Sequence, residues 1–503
     1  MARAGMSVAT ANAPEPPDSP HPPDLLDTPE AGGAAIRGGA VRLVGYGVAL
    51  ILGLAATPLL VRHLGVVDFG RYTLVLSLMA LVQGVTEGGL SAIGLREYSV
   101  LGERARRDLM RQLLGLRVLL TVLGVAGAVA FTLIAGYDSE IVVGTVVAGG
   151  GLLTLVLFSL VSIPLAAELR LGWVTVAEVA RAAIMAALIV VLALAGAGLV
   201  PFLALQIPAG VVSLAIVLVL VRRLIPLRPS LDLGRWWELA RATLPYAAAI
   251  AISAIYFRIT IILMSLVSSD QETGYFAVSY RVIEVLVGVP TLLAGAAFPI
   301  LSRAARDDPA RLRYSSQRTL DMMLMSGVWV ALVIALTAPF VIQVLAGDDS
   351  EPSVGTLQIQ AAALACTFVA VPCGYILLAL RRHRAILLGN LAPLTLGVVL
   401  TLVLAPEYGA QGAAVATVIA ELGLAAALLW FARRGVPFSL KGFGAIAIAA
   451  APAAGAGILV LAVAHPLLAA TAATLIYLLM LLALRQFPPE LMIAVRSRTR
   501  RQR

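Results

Sequence analysis

The sequence is poor in the residues from which most enzyme sites and soluble surfaces are built. Only 13% of its 503 residues are charged, and it contains 2 cysteines and 4 histidines. A soluble domain would carry about 25% charged residues. Cys366 and Cys373 lie in one apolar segment, where helical geometry disfavours a disulfide between them. No spacing typical of a metal site, a nucleophile constellation or a nucleotide-binding loop occurs. We therefore predict no enzymatic activity, no cofactor and no metal.

Hydrophobic residues, in contrast, make up 60% of the chain. Runs long enough to cross about 30 Å of hydrocarbon as helices recur between residues 43 and 485. The predicted spans are 43–61, 72–94, 114–136, 141–165, 174–197, 202–221, 243–267, 276–299, 322–346, 357–380, 385–405, 411–431, 443–464 and 466–484. The loops between them are too short to form an external domain of the kind a membrane glycosyltransferase or ligase needs. The predicted fold class is an all-α polytopic membrane protein with about 14 transmembrane helices.

Lysine is nearly absent, and the distribution of the arginines sets the topology. With the N-terminus in the cytoplasm, nearly all of the 37 basic residues fall between spans on the inner side or in the tails. The exceptions are Arg62 and Arg71 in outward loops, and Arg181, Arg258 and Arg281 within spans. This distribution follows the positive-inside rule and predicts that both termini are cytoplasmic. Because the net charge of +9 is spread between spans, we expect no nucleic-acid partner.

The organisation predicted from these patterns is two lobes and two tails. The first residues are proline-rich and acidic and lack the apolar core of a signal peptide, which predicts a disordered cytoplasmic tail. A weak repeat relates Leu64–Tyr72 to Ser268–Tyr275, and the same offset aligns Gly84 with Gly288. The predicted units are the tail 1–36, an N-terminal six-helix lobe 37–235, a C-terminal six-helix lobe 236–435, a further helix pair 436–485 and a basic tail 486–503.

Several stretches resemble one transporter family in the expected order. Arg62–Tyr72, followed by Glu87–Leu90 and Arg96, is similar to the opening of the oligosaccharide flippases, or polysaccharide biosynthesis transporters, of the multidrug/oligosaccharidyl-lipid/polysaccharide exporter superfamily. Further similar stretches are Tyr256–Thr260, Thr273–Glu284, Phe298–Arg303, Gly389–Asn390 and Glu407–Ala414. The resemblance covers residues 37 to about 435. Many relatives have an aspartate where this chain has Thr260, so no role of that carboxylate is carried over.

The resemblance implies a flippase. It implies transfer of an undecaprenyl-pyrophosphate-linked oligosaccharide across the bacterial plasma membrane by alternating access, for the synthesis of cell-surface polysaccharide. The implied partners are membrane lipid, the polyprenyl-linked glycan and other polysaccharide assembly proteins. Three alternatives stay open: a cation-coupled multidrug exporter, a peptidoglycan-precursor flippase and a non-transporting scaffold. The first predicted span contains no acidic residue of the kind that such exporters place in their cavity.

Three arginines inside spans are candidate substrate-binding residues, because a charge in hydrocarbon usually faces a cavity or a partner. Arg258 lies mid-span with no carboxylate on its own span, and guanidinium groups bind phosphates bidentately. Its alternative role is an ion pair with a glutamate of another span. Arg181 and Arg281 each have a glutamate three residues away, Glu178 and Glu284. These pairs either neutralise themselves or extend a cationic path, and both glutamates are also candidate coupling carboxylates.

Four further residues complete the candidate site. Arg42, at the inner end of the first span, either contacts the substrate or anchors the helix at the membrane surface. Asn390 either contacts the sugar or bonds another helix. Glu87 and Glu421 lie in apolar surroundings, where a carboxylate can take up a proton and couple transport to a gradient. Glu87 could instead pair with Arg96.

Overall fold

The computed structural model describes residues 31–168, 170–222 and 232–486, and these residues form helices and no β-strand. The helices are α1 Ala31–Glu87, α2 Leu90–Val100, α3 Glu103–Ile134, α4 Ser139–Val161, α5 Ile163–Ala167, α6 Leu171–Leu194, α7 Leu199–Ala204, α8 Gln206–Val221, α9 Leu233–Val267, α10 Asp270–Asp307, α11 Pro309–Ala346, α12 Pro352–Ala379, α13 His383–Gly435, α14 Lys441–Leu461 and α15 Pro466–Ala483. The all-α fold predicted from composition is confirmed.

The number of membrane crossings follows from the lengths of these helices. Within the described residues, 11 helical stretches are long and apolar enough to cross a membrane. Two of the helices are too long for one crossing: α1, with 57 residues, would measure about 85 Å as one straight helix. Each of these two is interrupted by a glycine with positive φ, Gly65 in α1 and Gly409 in α13, a conformation that disfavours other residues. With both helices divided and α9 added, the described residues provide helices for the fourteen crossings that the sequence predicts.

The helices associate as two groups joined along α1. In the first group α1 packs on α6, while α4 packs on α3 and α8; in the second, α12 packs on α10, α11 and α13. The pair α14–α15 packs on α11. The groups meet where α1 contacts α9 and α10.

Two predicted unit boundaries differ from the helix bounds. The predicted tail 1–36 lies outside the described residues up to residue 30, and residues 31–36 begin α1. The predicted lobe boundary at 235/236 lies inside α9, which Asp232 caps by accepting hydrogen bonds from the next turn. The C-terminal tail lies outside the described residues from residue 487.

The two copies of the sequence repeat lie against each other at the outer end of the lobes. Gly70 and Gly274, which the repeat aligns, are in direct contact. A β-carbon added to Gly70 would lie 2.8 Å from the Cα of Gly274, and one added to Gly274 would lie 2.2 Å from the carbonyl oxygen of Val66. Glycine is required at both positions because the two backbones approach this closely.

A second pair of repeat-related glycines makes approximately reciprocal contacts deeper in the membrane. Gly84 in α1 packs against Ala254 of α9. Its counterpart in the repeat, Gly288 in α10, packs beside the hydroxyl of Tyr46 in α1. Each lobe thus places a small residue of its second span against the first span of the other lobe. Small residues at such crossings are typical of helix packing in membranes.

Replacing Gly274 with alanine tests the close approach of the lobes. The added methyl group overlaps the Val66 carbonyl, and overpacking of this kind costs about 1–3 kcal/mol. We expect Gly274→Ala to lower the apparent unfolding temperature of the purified protein in detergent. Gly47→Ala is the matched control, because a β-carbon at Gly47 has no heavy atom within 4 Å. Equal unfolding temperatures for the two variants would contradict the packing described.

Candidate functional site

The centre of the site is a cluster of two arginines and one glutamate in the second lobe. Arg258 of α9 donates a hydrogen bond from Nη2 to Oε1 of Glu284 in α10. Arg281, one turn before Glu284, donates from Nη1 to Oε2 at 2.8 Å. Each carboxylate oxygen therefore holds one guanidinium. Two positive charges share one negative charge, so the cluster carries a net charge of +1.

Three cavities meet at Arg258. The first, of about 370 Å³, lies between α9, α10, α12 and α13 of the second lobe, with Ala80 of α1 on one wall. The second and third, of about 190 and 180 Å³, lie against α1 of the first lobe. Of the residues that the structure describes along their walls, Arg258 is the one that lines all three. Glu284 lines the first two, and Arg281 lines the second. The cationic cluster thus lies where the lobes face each other.

Glu421 lies on another wall of the first cavity. Its Oε1 accepts a hydrogen bond from the hydroxyl of Tyr256 at 2.8 Å, and its Oε2 accepts one from Oγ1 of Thr367 at 2.9 Å. Only 6% of the residue is exposed. No cationic side chain of the described residues lies within ion-pair distance of it. Glu421 is therefore a buried carboxylate held by neutral donors, unlike Glu284.

The first lobe contributes polar but uncharged groups to the walls. Gln83 of α1 and Gln206 of α8 line the third cavity, and Thr57 and Thr73 of α1 line the second. Apolar residues make up most of the remaining surface. Amides and hydroxyls of this kind can hydrogen-bond a sugar without imposing a charge.

The structure brings together Arg258, Arg281 and Glu284, as well as Glu421, around the cavities, but not Arg181 and its predicted partner. Glu178 and Arg181 make no ion pair within 4 Å with each other, or with any other residue in the described part of the chain. Neither lines the three cavities, although Ala182 lines the second. A spacing of three residues places two side chains on one face but does not fix their rotamers in contact.

Arg42 and Asn390 also lie away from the cavities. Arg42 is exposed near the beginning of α1. The side-chain amide of Asn390 donates a hydrogen bond to the carbonyl of Ile386, 2.7 Å away in its own helix. This hydrogen bond stays within α13, so it does not join Asn390 to a neighbouring helix.

Glu87 has a different partner from the one considered from the sequence. Arg117 of α3 donates hydrogen bonds to Glu87 and, at 2.5 Å, to Oγ of Ser91 in α2. The side chain of Arg117 is only 1% exposed. Arg96, in contrast, is 82% exposed and lies beside Glu97. Sequence reasoning had counted Arg117 among the inner-surface charges, because nothing local distinguishes it from its exposed neighbours.

The outer ends of the lobes are joined by an arginine that sequence reasoning assigned only to a loop. Arg71 donates from Nη2 to Asp270 of the second lobe at 2.7 Å and to Asp138 of the first lobe at 3.2 Å. Asp68 and Glu140 lie within 4.0 Å of the same guanidinium. Tyr137, in the turn after α3, and Ser265 of α9 add a hydrogen bond of 2.6 Å. Polar contacts therefore connect the lobes at their outer ends.

A known protein family matches more than half of the chain. Residues 59–355 match the family described as polysaccharide biosynthesis protein. The chain belongs to that family. A search of the curated proteins finds no match.

Solved structures share the fold of this polysaccharide biosynthesis protein. The lipid II flippase MurJ in an inward closed conformation superposes with a TM-score of 0.74 at 13% identity, covering 88% of this chain and 98% of its own. An inward-facing multidrug resistance MATE family transporter gives a TM-score of 0.63 at 14% identity, covering 78% and 98%. An outward-facing MATE family transporter gives 0.54 at 16% identity, covering 80% and 95%. At these identities the matches establish the fold alone.

Breaking the Glu87–Arg117 pair tests its structural role. Removal of one partner leaves a buried charge without compensation, which costs about 3–5 kcal/mol. We expect Glu87→Ala to reduce the yield of folded protein and its apparent unfolding temperature in detergent. Glu97→Ala is the control, because Glu97 pairs with an exposed arginine at 4.0 Å. If Glu87→Ala behaves like Glu97→Ala, the buried pair is not structural.

Proposed function

We propose that this protein transfers a polyprenyl-diphosphate-linked oligosaccharide, with undecaprenyl as the carrier, from the inner to the outer leaflet of a bacterial plasma membrane. The transferred glycan would serve cell-surface polysaccharide synthesis, alongside other proteins of polysaccharide assembly. The observation that carries the proposal is the cluster of Arg258, Arg281 and Glu284 where three cavities meet. Membership in the polysaccharide biosynthesis family supports the same substrate class.

The charge of the cluster favours an anionic headgroup. A diphosphate can accept paired hydrogen bonds from a guanidinium, and such charge-assisted bonds are stronger in a site with little water. Glu284 holds both arginines in place before the substrate arrives. The arginine side chains therefore lose less conformational entropy when the substrate binds. A cationic drug would meet the excess positive charge instead, and this argues against a multidrug exporter.

A peptidoglycan precursor is the second candidate substrate. It carries the same diphosphate and polyprenyl chain, and the fold superposes on the lipid II flippase with a TM-score of 0.74. The arginine cluster alone does not separate the two, because their headgroups share the groups that it would bind. The difference lies in the glycan, which would contact the amides and hydroxyls on the walls that the first lobe contributes.

Alternating access is the mechanism that we propose for the transfer. The outer ends of the lobes are in contact through Gly70 and Gly274 and through the Arg71–Asp270 ion pair. In the outward-open state these contacts would separate and expose Arg258 to the outer leaflet. The matches to both inward-facing and outward-facing MATE family transporters support a fold that can adopt both arrangements.

Replacing Arg258 tests the substrate site. A hydrogen bond to a charged group contributes about 1.5–3 kcal/mol, so we expect Arg258→Ala to slow flipping by about 10- to 100-fold. Arg258→Lys keeps the charge but loses the bidentate geometry, and we expect an intermediate rate. The assay is flipping of a fluorescent undecaprenyl-diphosphate oligosaccharide in proteoliposomes, with lipid II as a parallel substrate.

Arg303→Ala is the control for this assay, because Arg303 is exposed at the inner end of α10. Matched insertion of all variants is required. Equal rates for Arg258→Ala and Arg303→Ala would remove Arg258 from the substrate site and leave the function standing. No flipping of either lipid by the unaltered protein would contradict the proposed function. Faster flipping of lipid II than of the oligosaccharide would favour the second candidate.

Among the four candidate coupling carboxylates, the contacts favour Glu421. Glu87 and Glu284 are each bonded to arginine, and Glu178 does not line the cavities. Glu421 faces the first cavity and accepts bonds only from hydroxyl groups. Uptake of a proton would neutralise this buried carboxylate. The protonated group would then donate one hydrogen bond as well as accept them. We therefore propose Glu421 as the site at which a proton gradient couples to transport.

Glu421→Gln tests this coupling. Glutamine retains the shape and one acceptor but cannot exchange a proton. We expect the variant to lose stimulation by an imposed pH gradient while retaining flipping without a gradient. Thr367→Val is the matched comparison, because it removes one hydrogen bond and leaves the carboxylate; its stimulation should persist. Full stimulation of Glu421→Gln would exclude Glu421 as the coupling group.

A further inference from the structure

We infer that a groove between α1, α3 and α9 binds the polyprenyl tail of the substrate while the diphosphate lies at Arg258; this inference rests on the proposed function. The groove encloses about 360 Å³. Its walls include Leu81 and Val85 of α1, Gly124, Gly127 and Phe131 of α3, and Ile259 of α9. The residues that line the groove are apolar, except for Thr86, which carries a hydroxyl group.

The groove opens toward the lipid. Val85 is 47% exposed, and Gly127 is exposed on the surface of α3. Beyond the groove, the turn that follows α3 is joined to the outer end of α9 by the hydrogen bond between Tyr137 and Ser265. A chain lying in the groove would therefore have one side against protein and the other toward the bilayer, and its outer end would be covered.

The groove shares a wall with the site that we propose for the headgroup. Ile259 lines both the groove and the first cavity, and it follows Arg258 directly in the chain. On α1, Leu81 and Val82 face the groove, whereas Ala80 and Gln83 face the cavities. The wall between the groove and the cavities is thus one helix thick. A diphosphate bound at Arg258 has its tail attached by a single ester bond, so the tail must leave the cavity close by.

The position of the groove favours the tail of the substrate over the acyl chain of an ordinary membrane lipid. Another lipid-facing hollow, of about 510 Å³, lies between α6 and α8 and is lined by Trp173 and Val212. None of its lining residues lines any of the three cavities that meet at Arg258. Both hollows can take up an acyl chain by apolar contact alone. The groove beside Ile259 is the one that shares a wall with the cationic cluster, and this favours the tail of a bound anionic lipid.

Gly127→Phe fills the groove and provides the test. A β-carbon at Gly127 has no heavy atom within 4 Å, so the phenyl ring can enter the groove without displacing backbone. Gly455→Phe is the matched control: Gly455 is exposed on α14 and its β-carbon would have equally open surroundings. The probe is an undecaprenyl-diphosphate oligosaccharide with a diazirine in the tail, reconstituted in proteoliposomes. Crosslinked peptides are mapped by mass spectrometry, and flipping is measured in the same vesicles.

We expect crosslinks on α1, α3 and α9 in the unaltered protein and in Gly455→Phe. In Gly127→Phe they should fall by about tenfold, equivalent to about 1.4 kcal/mol of binding, with a comparable loss of flipping rate. A photoactivatable phosphatidylethanolamine at the same mole fraction should label the groove less than the polyprenyl probe.

Three outcomes would overturn the inference: crosslinks that map elsewhere, crosslinking unchanged by Gly127→Phe, or equal labelling by the phospholipid. The crosslinking experiment tests whether the tail binds in the groove, and its result does not depend on whether flipping is observed. Absence of flipping in the unaltered protein would instead contradict the proposed function. The two failures are therefore distinguishable.

Discussion

A guanidinium group in the hydrocarbon core of a membrane requires a counter-charge or water, because its insertion alone is unfavourable. For Arg258 the counter-charge comes from a different helix, since α9 carries no carboxylate near it. Glu284 supplies one oxygen to Arg258 and the other to Arg281. That shared carboxylate fixes α9 against α10 and leaves one positive charge in excess. The cavities that meet at Arg258, the anionic substrate that we propose and the separate role proposed for Glu421 all depend on this arrangement.

The contact between the lobes has a different physical character. Along α1 the lobes meet through glycine and alanine, as at Gly84 and Ala254, where close packing gives stabilisation without directional bonds. Directional polar contacts between the lobes occur at the outer ends, through Arg71, Arg62 and Tyr137. Within each lobe, buried ion pairs such as Glu87–Arg117 resist rearrangement. This contrast supports the proposed mechanism, in which the two lobes move as rigid bodies relative to each other.

Features that depend on local sequence were predictable, and features that depend on distant pairing were not. Hydrophobic length and arginine placement are local, so the spans and the all-α fold could be predicted. The cost of a buried charge likewise identified Arg258 and Glu421 as candidates. Their partners could not be chosen, because Tyr256 and Glu421 are 165 residues apart in the chain. Local spacing also misled: it favoured Glu178 for Arg181, whereas no such pair forms, and it offered Arg96 for Glu87, whose partner is Arg117.

The network around Arg71 makes the contact between the outer ends of the lobes sensitive to salt. One guanidinium is surrounded there by four carboxylates, those of Asp68, Asp138, Glu140 and Asp270, so the cluster has an excess of negative charge. These groups are partly exposed, and at physiological ionic strength charges are screened over about 8 Å. The energy that holds the outer ends together therefore depends on the salt of the surrounding medium, whereas the buried cluster at Arg258 is shielded from it. If the lobes alternate as we propose, a change in the salt of the outer medium would shift the balance between the two orientations without acting on the proposed substrate site.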